Sequence, residues 1–391
     1  MKGAVTMRNQ RILINGLSMG SGGGYTVGIE LFRHIAMARP DWKITLAVIS
    51  GNPLHEEAKA LALPANCNLL WAPAFAAEIR ARMAYERGEF AAWARSSHVS
   101  AILQLNGMII PEIGIPTLAH CQDPWPYRPE AWDRKTDALK AFLKRRANKQ
   151  AFRQAAFVGW TSGYLKDLMC DRLGITPKNG AVIYNGIPDD WVKQAERAMP
   201  PYSGRPLEII TISNVAPYKQ QEMVIRAMPD LVKKPGLTKL KYRIAGHCPP
   251  AYAAHLKQLA AKLGVADAVI LEGRVSRERI VELFSTARCY VLMSKCESFG
   301  LPAIEAMAFG TPVIAANCCA IPEVCGKAAQ LCTANDLPGL VDTISRVVLD
   351  LTVAEEMRRE GLNTLRRYSW AKAAEQMATV CERPTSSEAR R

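Results

Sequence analysis

The stretch CESFGLPAIEAMAFGTPVIAAN, from Cys296 to Asn317, decides the predicted fold of this chain. An apolar strand precedes it, and Val313 to Ala316 predict a second strand near its end. Pro302 marks the expected first position of a short helix, because a proline there gives up no hydrogen-bonded N–H. Gly310 is expected to end the helix in the left-handed conformation. The stretch therefore predicts a βαβ unit of a parallel sheet.

Two carboxylates flank the loop between the first strand and the helix of this unit. The loop amides and the helix N-terminus form an anion site at the carboxyl edge of the sheet. Glu297 precedes the helix, and Glu305 lies about one turn inside it. Carboxylates accept hydrogen bonds from hydroxyl groups, so the pattern indicates a diphosphate with a sugar on either side, as in a nucleotide sugar. An ordinary turn with two solvated glutamates is the alternative.

The spacing of these two acids resembles the donor-binding motif of retaining glycosyltransferases of the GT-B fold, family 4. Glu297 and Glu305 are separated by seven residues, with Phe299, Gly300 and Leu301 between them. The resemblance implies that Glu297 contacts the transferred sugar and that Glu305 holds the ribose hydroxyls. It also implies that the backbone of Phe299, Gly300 and Leu301 contacts the sugar and the diphosphate.

The resemblance extends over most of the chain and carries a fold and a reaction with it. The expected fold class is α/β, with two Rossmann-like domains that face a central cleft. The donor is then held by the C-terminal domain and the acceptor by the N-terminal domain. The expected reaction transfers a hexose, such as mannose or glucose, from a GDP- or UDP-sugar to a glycan or lipid-linked acceptor. Retention of the anomeric configuration and a role in surface polysaccharide synthesis are part of this expectation.

Neither a cofactor nor a metal ion is expected in this reaction. No Asp-x-Asp occurs in the chain, which disfavours metal-assisted binding of the diphosphate. No carboxylate stands out as a nucleophile, so the family expectation is a same-face mechanism in which the leaving phosphate takes the acceptor proton. Two other functions stay open: a GT-B sugar-nucleotide epimerase, and a donor-binding protein that has lost activity.

A proline-rich linker at 199–206 predicts the boundary between two domains. The expected acceptor domain spans 1–198 and the expected donor domain spans 199–370, whose last helix is able to pack back on the first domain. Residues 371–391 are expected to form a tail.

A glycine-rich loop follows the first predicted strand, at 18–24, before a helix that starts near Tyr25. Such a loop lets backbone approach a ligand closely. In the resembled family this loop lies under the donor diphosphate, which makes Gly22, Gly23 and Gly24 candidate donor-binding residues. A tight flexible turn is the alternative.

The segment from Ile115 to Pro126 reads as a buried strand that runs into a loop at the carboxyl edge of the first sheet. It resembles the family segment that ends in His-Asp-x-Trp-Pro, but Gln122 stands at the histidine position. His120 shares a strand face with it and is the other candidate for the catalytic pocket. Asp123 matches the family aspartate. A core histidine bonded to backbone is the alternative for His120.

Lys219 follows the first strand of the second half and is expected to bind phosphate as a point charge. The family usually has an arginine where this chain has Asn214. Lys219 must then neutralise the leaving diphosphate together with backbone amides, with Arg274, or with another cation that reaches the site. A surface lysine is the alternative reading.

The net charge of +14 is spread over both halves of the chain, so no single nucleic-acid face is expected. A predicted helix from Trp132 to Ala156 carries eight cations together with Trp132, Phe142 and Phe152. Such a helix can lie on an anionic membrane surface, and a solvated helix face is the alternative.

With eleven cysteines, no export signal and no apolar run of about 18 residues, we expect a cytoplasmic protein with reduced thiols, peripheral to the membrane.

Overall fold

The computed structural model of the chain describes residues 9–19, 23–51, 63–188, 190–191 and 201–382. These residues form two compact units. The first unit takes the described residues up to Tyr127, residues 139–186 and residues 370–382. The second unit takes residues 128–138 and the described part of 187–369. Each unit is built around one parallel sheet.

The first sheet has seven strands in the order β3-β2-β1-β4-β5-β6-β7. Its strands are Arg11–Asn15 (β1), Lys43–Ile49 (β2), Cys67–Ala72 (β3), Ala101–Gln104 (β4), Thr117–Cys121 (β5), Phe157–Trp160 (β6) and Gly180–Val182 (β7). The central strands β4, β5 and β6 are buried at every position, as expected of parallel strands covered by helices on both faces.

In the part of the chain before residue 180 that the structure describes, five α-helices connect these strands. They are Gly23–Ala38 (α1), Ile79–Tyr85 (α2), Ala91–Ser96 (α3), Asp137–Gln154 (α4) and Gly163–Leu173 (α5). A π turn at Glu86–Phe90 joins α2 to α3, and a 3-10 turn at Ala74–Ala77 precedes α2. Ser162 caps α5 by accepting a hydrogen bond from the Leu165 amide, and Gly174 ends that helix in the left-handed conformation.

The second sheet has six strands in the order β10-β9-β8-β11-β12-β13. They are Glu208–Ile212 (β8), Lys241–Ala245 (β9), Val269–Gly273 (β10), Cys289–Leu292 (β11), Val313–Ala316 (β12) and Ala329–Cys332 (β13). The α-helices that the structure describes from residue 201 onward in this unit are Gln221–Lys233 (α6), Pro250–Lys262 (α7), Arg277–Thr286 (α8), Leu301–Ala308 (α9), Ile321–Cys325 (α10), Leu337–Leu349 (α11) and Leu351–Leu365 (α12). The predicted βαβ unit is β11-α9-β12, and β11 and β12 pair in parallel.

A last helix, Trp370–Cys381 (α13), forms where a tail was predicted from residue 371. Its buried residues recur at helical spacing: Trp370, Ala373, Ala374, Met377 and Ala378. It packs on α1, and Arg39 at the end of α1 pairs with Glu375 and Glu382. The tail prediction was therefore wrong for residues 371–381.

The basic helix is shorter than predicted. It begins at Asp137 rather than Trp132, and the Asp137 carboxylate accepts hydrogen bonds from the Asp133 and Arg134 amides, which hold the residues before the helix in a turn. Among the described helices, none combines the length and the apolar composition needed to cross a bilayer.

Candidate functional site

The order of the second sheet reverses direction between β8 and β11, which makes this pair of strands its topological switch point. Ligands of open α/β sheets bind beside the carboxyl ends of the strands at such a point. The loop after β8 carries Lys219, and the loop after β11 carries Glu297. The Nζ atom of Lys219 lies 2.6 Å from Oε1 of Glu297. Two residues singled out separately in the sequence thus form one ion pair.

This ion pair is largely withdrawn from solvent. The side chains of Lys219 and Glu297 are 14% and 9% exposed. Desolvation lowers the pKa of Lys219, but the charge of Glu297 and the hydrogen bond to it outweigh this effect, so the pKa is raised overall. Lys219 therefore stays protonated and is held at the switch point by a carboxylate that also faces the site.

Gly300 sets the path of the loop between Glu297 and α9. It has φ of +88°, a conformation that residues with a Cβ rarely adopt, and a Cβ there would meet Cδ1 of Ile321 at 2.5 Å. Leu301 rather than Pro302 is the first residue of α9, so the predicted helix start was late by one position. Phe299 and Leu301 are buried, and the Phe299 ring packs edge-on against Tyr368 at 5.2 Å. Their side chains anchor the loop, which leaves the backbone of this segment as the part able to face a ligand.

Glu305 lies one turn inside α9 and is only partly accessible to solvent. Desolvation raises its pKa to about 7, and the charge of Arg277 opposes this shift. A carboxyl group with a strongly perturbed pKa near a switch point is typical of a functional site.

The loop after β8 also contains Asn214, which is exposed, as is Arg274 after β10. Arg274 makes no ion pair with another described residue, and Asn214 carries no charge. Gly246, at the end of β9, was not singled out in the sequence. It has φ of +140°, and a Cβ there would overlap the carbonyl group of Ser213. The β8 loop therefore keeps its position because Gly246 lets the two backbones approach.

In the first unit, Gly23 and Gly24 belong to the first turn of α1, so the predicted loop through residue 24 ends earlier than expected. Their amides are those of a helix N-terminus, which suits an anion. Gly22 lies outside the described residues.

His120 is a core side chain at the carboxyl end of β5. It is 1% exposed, and its ring packs over Gly159, where a Cβ would lie 2.8 Å from Nδ1. Nδ1 has no hydrogen-bond partner among the described residues. Burial lowers the pKa of His120 to about 4, so the imidazole is neutral at neutral pH. The burial agrees with a core histidine, whereas the predicted bond from a core histidine to backbone is not seen at Nδ1.

Gln122 and Asp123 follow β5 and are closer to solvent. Nε2 of Gln122 donates to the Leu105 carbonyl at 2.9 Å, which ties the ends of β4 and β5 together. Oδ2 of Asp123 accepts from Lys144 at 2.7 Å, and Oδ1 accepts from the Trp125 amide at 3.0 Å. Gln122 and Asp123 thus lie at the carboxyl edge, as the sequence predicted for this segment.

The cysteines and acids form no metal centre in the part of the chain that the structure describes, where no group of three or more His, Cys, Asp or Glu is arranged to hold an ion. All eleven cysteines are free thiols.

Comparison with known proteins finds similarities to the second half of the chain. Residues 192–364 match the family model described as glycosyl transferases group 1. Over 134 residues the chain is 37% identical to the MMP alpha-(1->4)-mannosyltransferase of Mycolicibacterium hassiacum, and the match covers 32% of each protein. Over 180 residues it is 32% identical to the D-inositol 3-phosphate glycosyltransferase of Mycolicibacterium smegmatis, covering 45% of this chain and 40% of that protein. The chain spans less than half the length of these relatives.

Solved structures resemble the chain over almost its whole length. The sucrose-phosphate synthase of Thermosynechococcus elongatus superposes with a TM-score of 0.75 at 19% identity, covering 95% of this chain and 98% of that one. Anabaena HepE, solved with UDP and glucose, superposes with a TM-score of 0.72 at 18% identity, covering 95% and 99%. These similarities and the two strand orders define the GT-B fold.

Proposed function

We propose that this protein is a retaining glycosyltransferase that moves a hexose from a nucleoside diphosphate sugar to a glycan or lipid-linked acceptor. The observation that carries the proposal is the Lys219–Glu297 ion pair at the switch point of the second sheet, with Nζ and Oε1 2.6 Å apart. The match of residues 192–364 to the glycosyl transferases group 1 model supports a transferase, and relatives named mannosyltransferase and inositol 3-phosphate glycosyltransferase support a sugar donor.

The donor is a UDP- or GDP-sugar. HepE, which shares the fold, was solved with UDP and glucose. In this chain Glu305 accepts hydrogen bonds from the ribose hydroxyls, Glu297 from the hexose, and Lys219 neutralises the diphosphate. The backbone at Phe299 to Leu301 contacts the sugar and diphosphate. No cofactor or metal ion takes part.

The reaction breaks the bond between the anomeric carbon and the diphosphate oxygen. The acceptor oxygen forms its new bond on the same face of the sugar, and the leaving phosphate takes the acceptor proton. Charge grows on the diphosphate as it leaves, so Lys219 acts mainly in the transition state. By the family resemblance, Asp123 with Gln122 or His120 contributes to acceptor binding, and Gly23 and Gly24 offer helix N-terminal amides that suit an anion.

Two other functions are separated by incubating the protein with each nucleotide sugar alone and following the donor by NMR. A transferase is expected to leave the donor intact apart from slow hydrolysis. Appearance of an epimerised nucleotide sugar without acceptor would instead identify an epimerase. A protein that binds a donor but never turns it over with any acceptor extract has lost its activity.

Glu305→Gln is expected to change two measurements in opposite directions. Affinity for the nucleoside diphosphate should fall by about 1–3 kcal/mol, because a charge-assisted bond to ribose is lost. Above pH 7 and without ligand, the variant should be more stable than the wild type. The reason is that the folded wild type holds the Glu305 carboxyl at a pKa of about 7 instead of its ordinary 4.5, so that ionising it destabilises the fold. In the wild type, the contribution of this carboxyl to the free energy of unfolding is fully present below pH 4.5. It is lost as the pH rises through 7, which lowers the free energy of unfolding by about 1–3 kcal/mol.

Calorimetry at pH 8 and thermal melts at pH 5 and pH 8 measure these effects. Glu356→Gln on α12, where the side chain is 66% exposed, is the matched control and should change neither. Unchanged nucleotide affinity in Glu305→Gln would remove Glu305 from the donor site.

The acceptor is expected at an anionic lipid surface, to which the first unit binds through α4. This helix carries six cations and one acid, and its residues Leu139, Phe142 and Leu143 are 64%, 55% and 55% exposed. Phe152, which the sequence grouped with them, is 3% exposed and packs against Trp160. An exposed apolar stripe flanked by cations is typical of an interfacial helix.

Replacing Leu139, Phe142 and Leu143 by glutamine should abolish binding to vesicles that contain anionic lipid. Each cation near such a surface contributes about 1 kcal/mol, so wild-type binding should also weaken steeply with salt. Cosedimentation measures both effects. The matched control replaces Phe75, Ile79 and Met83, which are similarly exposed but lie on a segment with equal numbers of arginines and glutamates. Equal vesicle binding by the α4 variant and the wild type would mean that α4 is a solvated helix and does not bind the membrane.

A further inference from the structure

The segment from Arg128 to Ala138 precedes the second half in sequence but belongs to the second unit. Its 3-10 turn at Pro129–Ala131 packs against the turn at Pro217–Lys219, which carries the site lysine. The segment therefore lies beside the β8 side of the switch point, and nothing in the sequence had assigned it a role there.

The first residue of this segment also reaches the β11 side of the switch point. Nη2 of Arg128 donates to the Lys295 carbonyl at 3.2 Å, two residues before Glu297. The side chain is 21% exposed. The guanidinium thus lies against the loop that leads into the Glu297–Gly300 backbone.

The Cys318 thiol gives a second indication of this position. Its Sγ donates to the Ser294 carbonyl at 3.3 Å, in the same loop. A hydrogen bond with Cys319 and burial raise the pKa of Cys318, while the charge of Arg128 lowers it and the charge of Glu297 raises it. Arg128 and Glu297 are therefore both close enough to the Cys318 thiol for their charges to influence its pKa.

The site needs a second cation if it binds a diphosphate. The positive charge of Lys219 is balanced by the negative charge of Glu297, and Asn214 supplies no charge. From these placements we infer that Arg128 binds an anionic oxygen of the donor diphosphate, and this inference rests on the proposed transferase function. A guanidinium presents a planar fork of donors that suits phosphate oxygens, and its charge does not depend on pH.

Arg128 also pairs with Glu130, with Nη2 and Oε1 2.7 Å apart. The Glu130 side chain is 46% exposed, and an ion pair in contact with water contributes little free energy. A diphosphate can therefore displace Glu130 from the Arg128 guanidinium, or bind the guanidinium together with Glu130.

Arg128→Gln is expected to weaken the binding of UDP or GDP, whichever the wild type binds, by about tenfold or more. Binding of the corresponding nucleoside, which has no phosphate, should not change. Glu130→Gln should leave diphosphate affinity equal or higher, whereas a purely structural role for the Arg128–Glu130 pair would make both variants equally weak. Arg134→Gln, on the same segment and exposed, is the matched control. Titration calorimetry measures all four proteins.

A second measurement uses only the wild type, in case Arg128→Gln fails to fold. Labelling of Arg128 by an arginine-specific dicarbonyl, mapped by mass spectrometry, should slow when the nucleoside diphosphate is added. If the wild type binds a diphosphate while Arg128→Gln binds it equally well, or while Arg128 labelling is unchanged, the inference is wrong. If the wild type binds no nucleoside diphosphate at all, the proposed function itself fails.

Discussion

Lys219→Ala is expected to reduce sugar transfer by about 100-fold or more while weakening donor binding much less. Lys219 faces a diphosphate whose charge grows as the bond to the sugar breaks, so its interaction strengthens in the transition state. The variant should also lose about 3–5 kcal/mol of stability, because Glu297 would be left 9% exposed without its partner at 2.6 Å. Steady-state kinetics and chemical denaturation measure the two effects.

A double variant, Lys219→Met with Glu297→Gln, separates catalysis from folding. Removing both charges at once leaves no unpaired buried ion, so most of the lost stability should return. Activity should stay lost, since neither the cation nor the carboxylate is present. A turnover number in Lys219→Ala equal to that of the wild type would mean that another cation neutralises the leaving group.

Gly246→Ala is expected to unfold or distort the donor side of the second unit, with a loss of about 3 kcal/mol or more. Gly246 has φ of +140°, and the new Cβ would overlap the backbone carbonyl of Ser213. Its amide also donates to the Gly273 carbonyl at 2.7 Å, so the turn cannot move away freely. The displaced β8 loop carries Asn214 and Lys219, and nucleotide affinity should therefore fall with stability.

The matched control for this change is Gly204→Ala. A Cβ on Gly204 would meet nothing within 4 Å, and the φ of Gly204 is not positive. The melting temperature of Gly204→Ala should therefore stay close to that of the wild type. If Gly246→Ala melts at the wild-type temperature and binds nucleotide normally, the close approach of the two backbones does not position the loop.

Much of the second unit was predictable because its signals are local. The stretch from Cys296 to Asn317 contains its own strand, helix and turn residues, and β11-α9-β12 matches it within one position. The C-terminal helix had a local signal too. Its buried residues recur at positions 370, 373, 374, 377 and 378, a helical pattern that the sequence interpretation passed over.

The contacts that build the site were not predictable, because they join distant parts of the chain. Lys219 and Glu297 are 78 residues apart, and they meet because β8 and β11 are neighbours in the sheet. Arg128 and Lys295 are 167 residues apart. The need for glycine at position 246 arises only when β9 packs beside the β8 loop. Periodicity and motif spacing do not report such pairings.

The division into units also differs from the linker prediction. The proline-rich segment at 199–206 suggested a boundary at 198/199, whereas the compact units divide after Gly186, and residues 128–138 join the second unit. A linker composition marks where a chain is free to cross between domains, but segment packing decides to which unit each residue belongs.

The most direct measurement counts products in one reaction. The protein is incubated with a labelled UDP- or GDP-hexose and an extract of glycan and lipid-linked acceptors, and both released nucleoside diphosphate and acceptor-bound hexose are quantified. We predict one diphosphate released per hexose transferred, both dependent on acceptor, and both lost in Lys219→Ala. Nucleotide sugar that stays intact with every acceptor, or that is converted without acceptor, would contradict a glycosyltransferase.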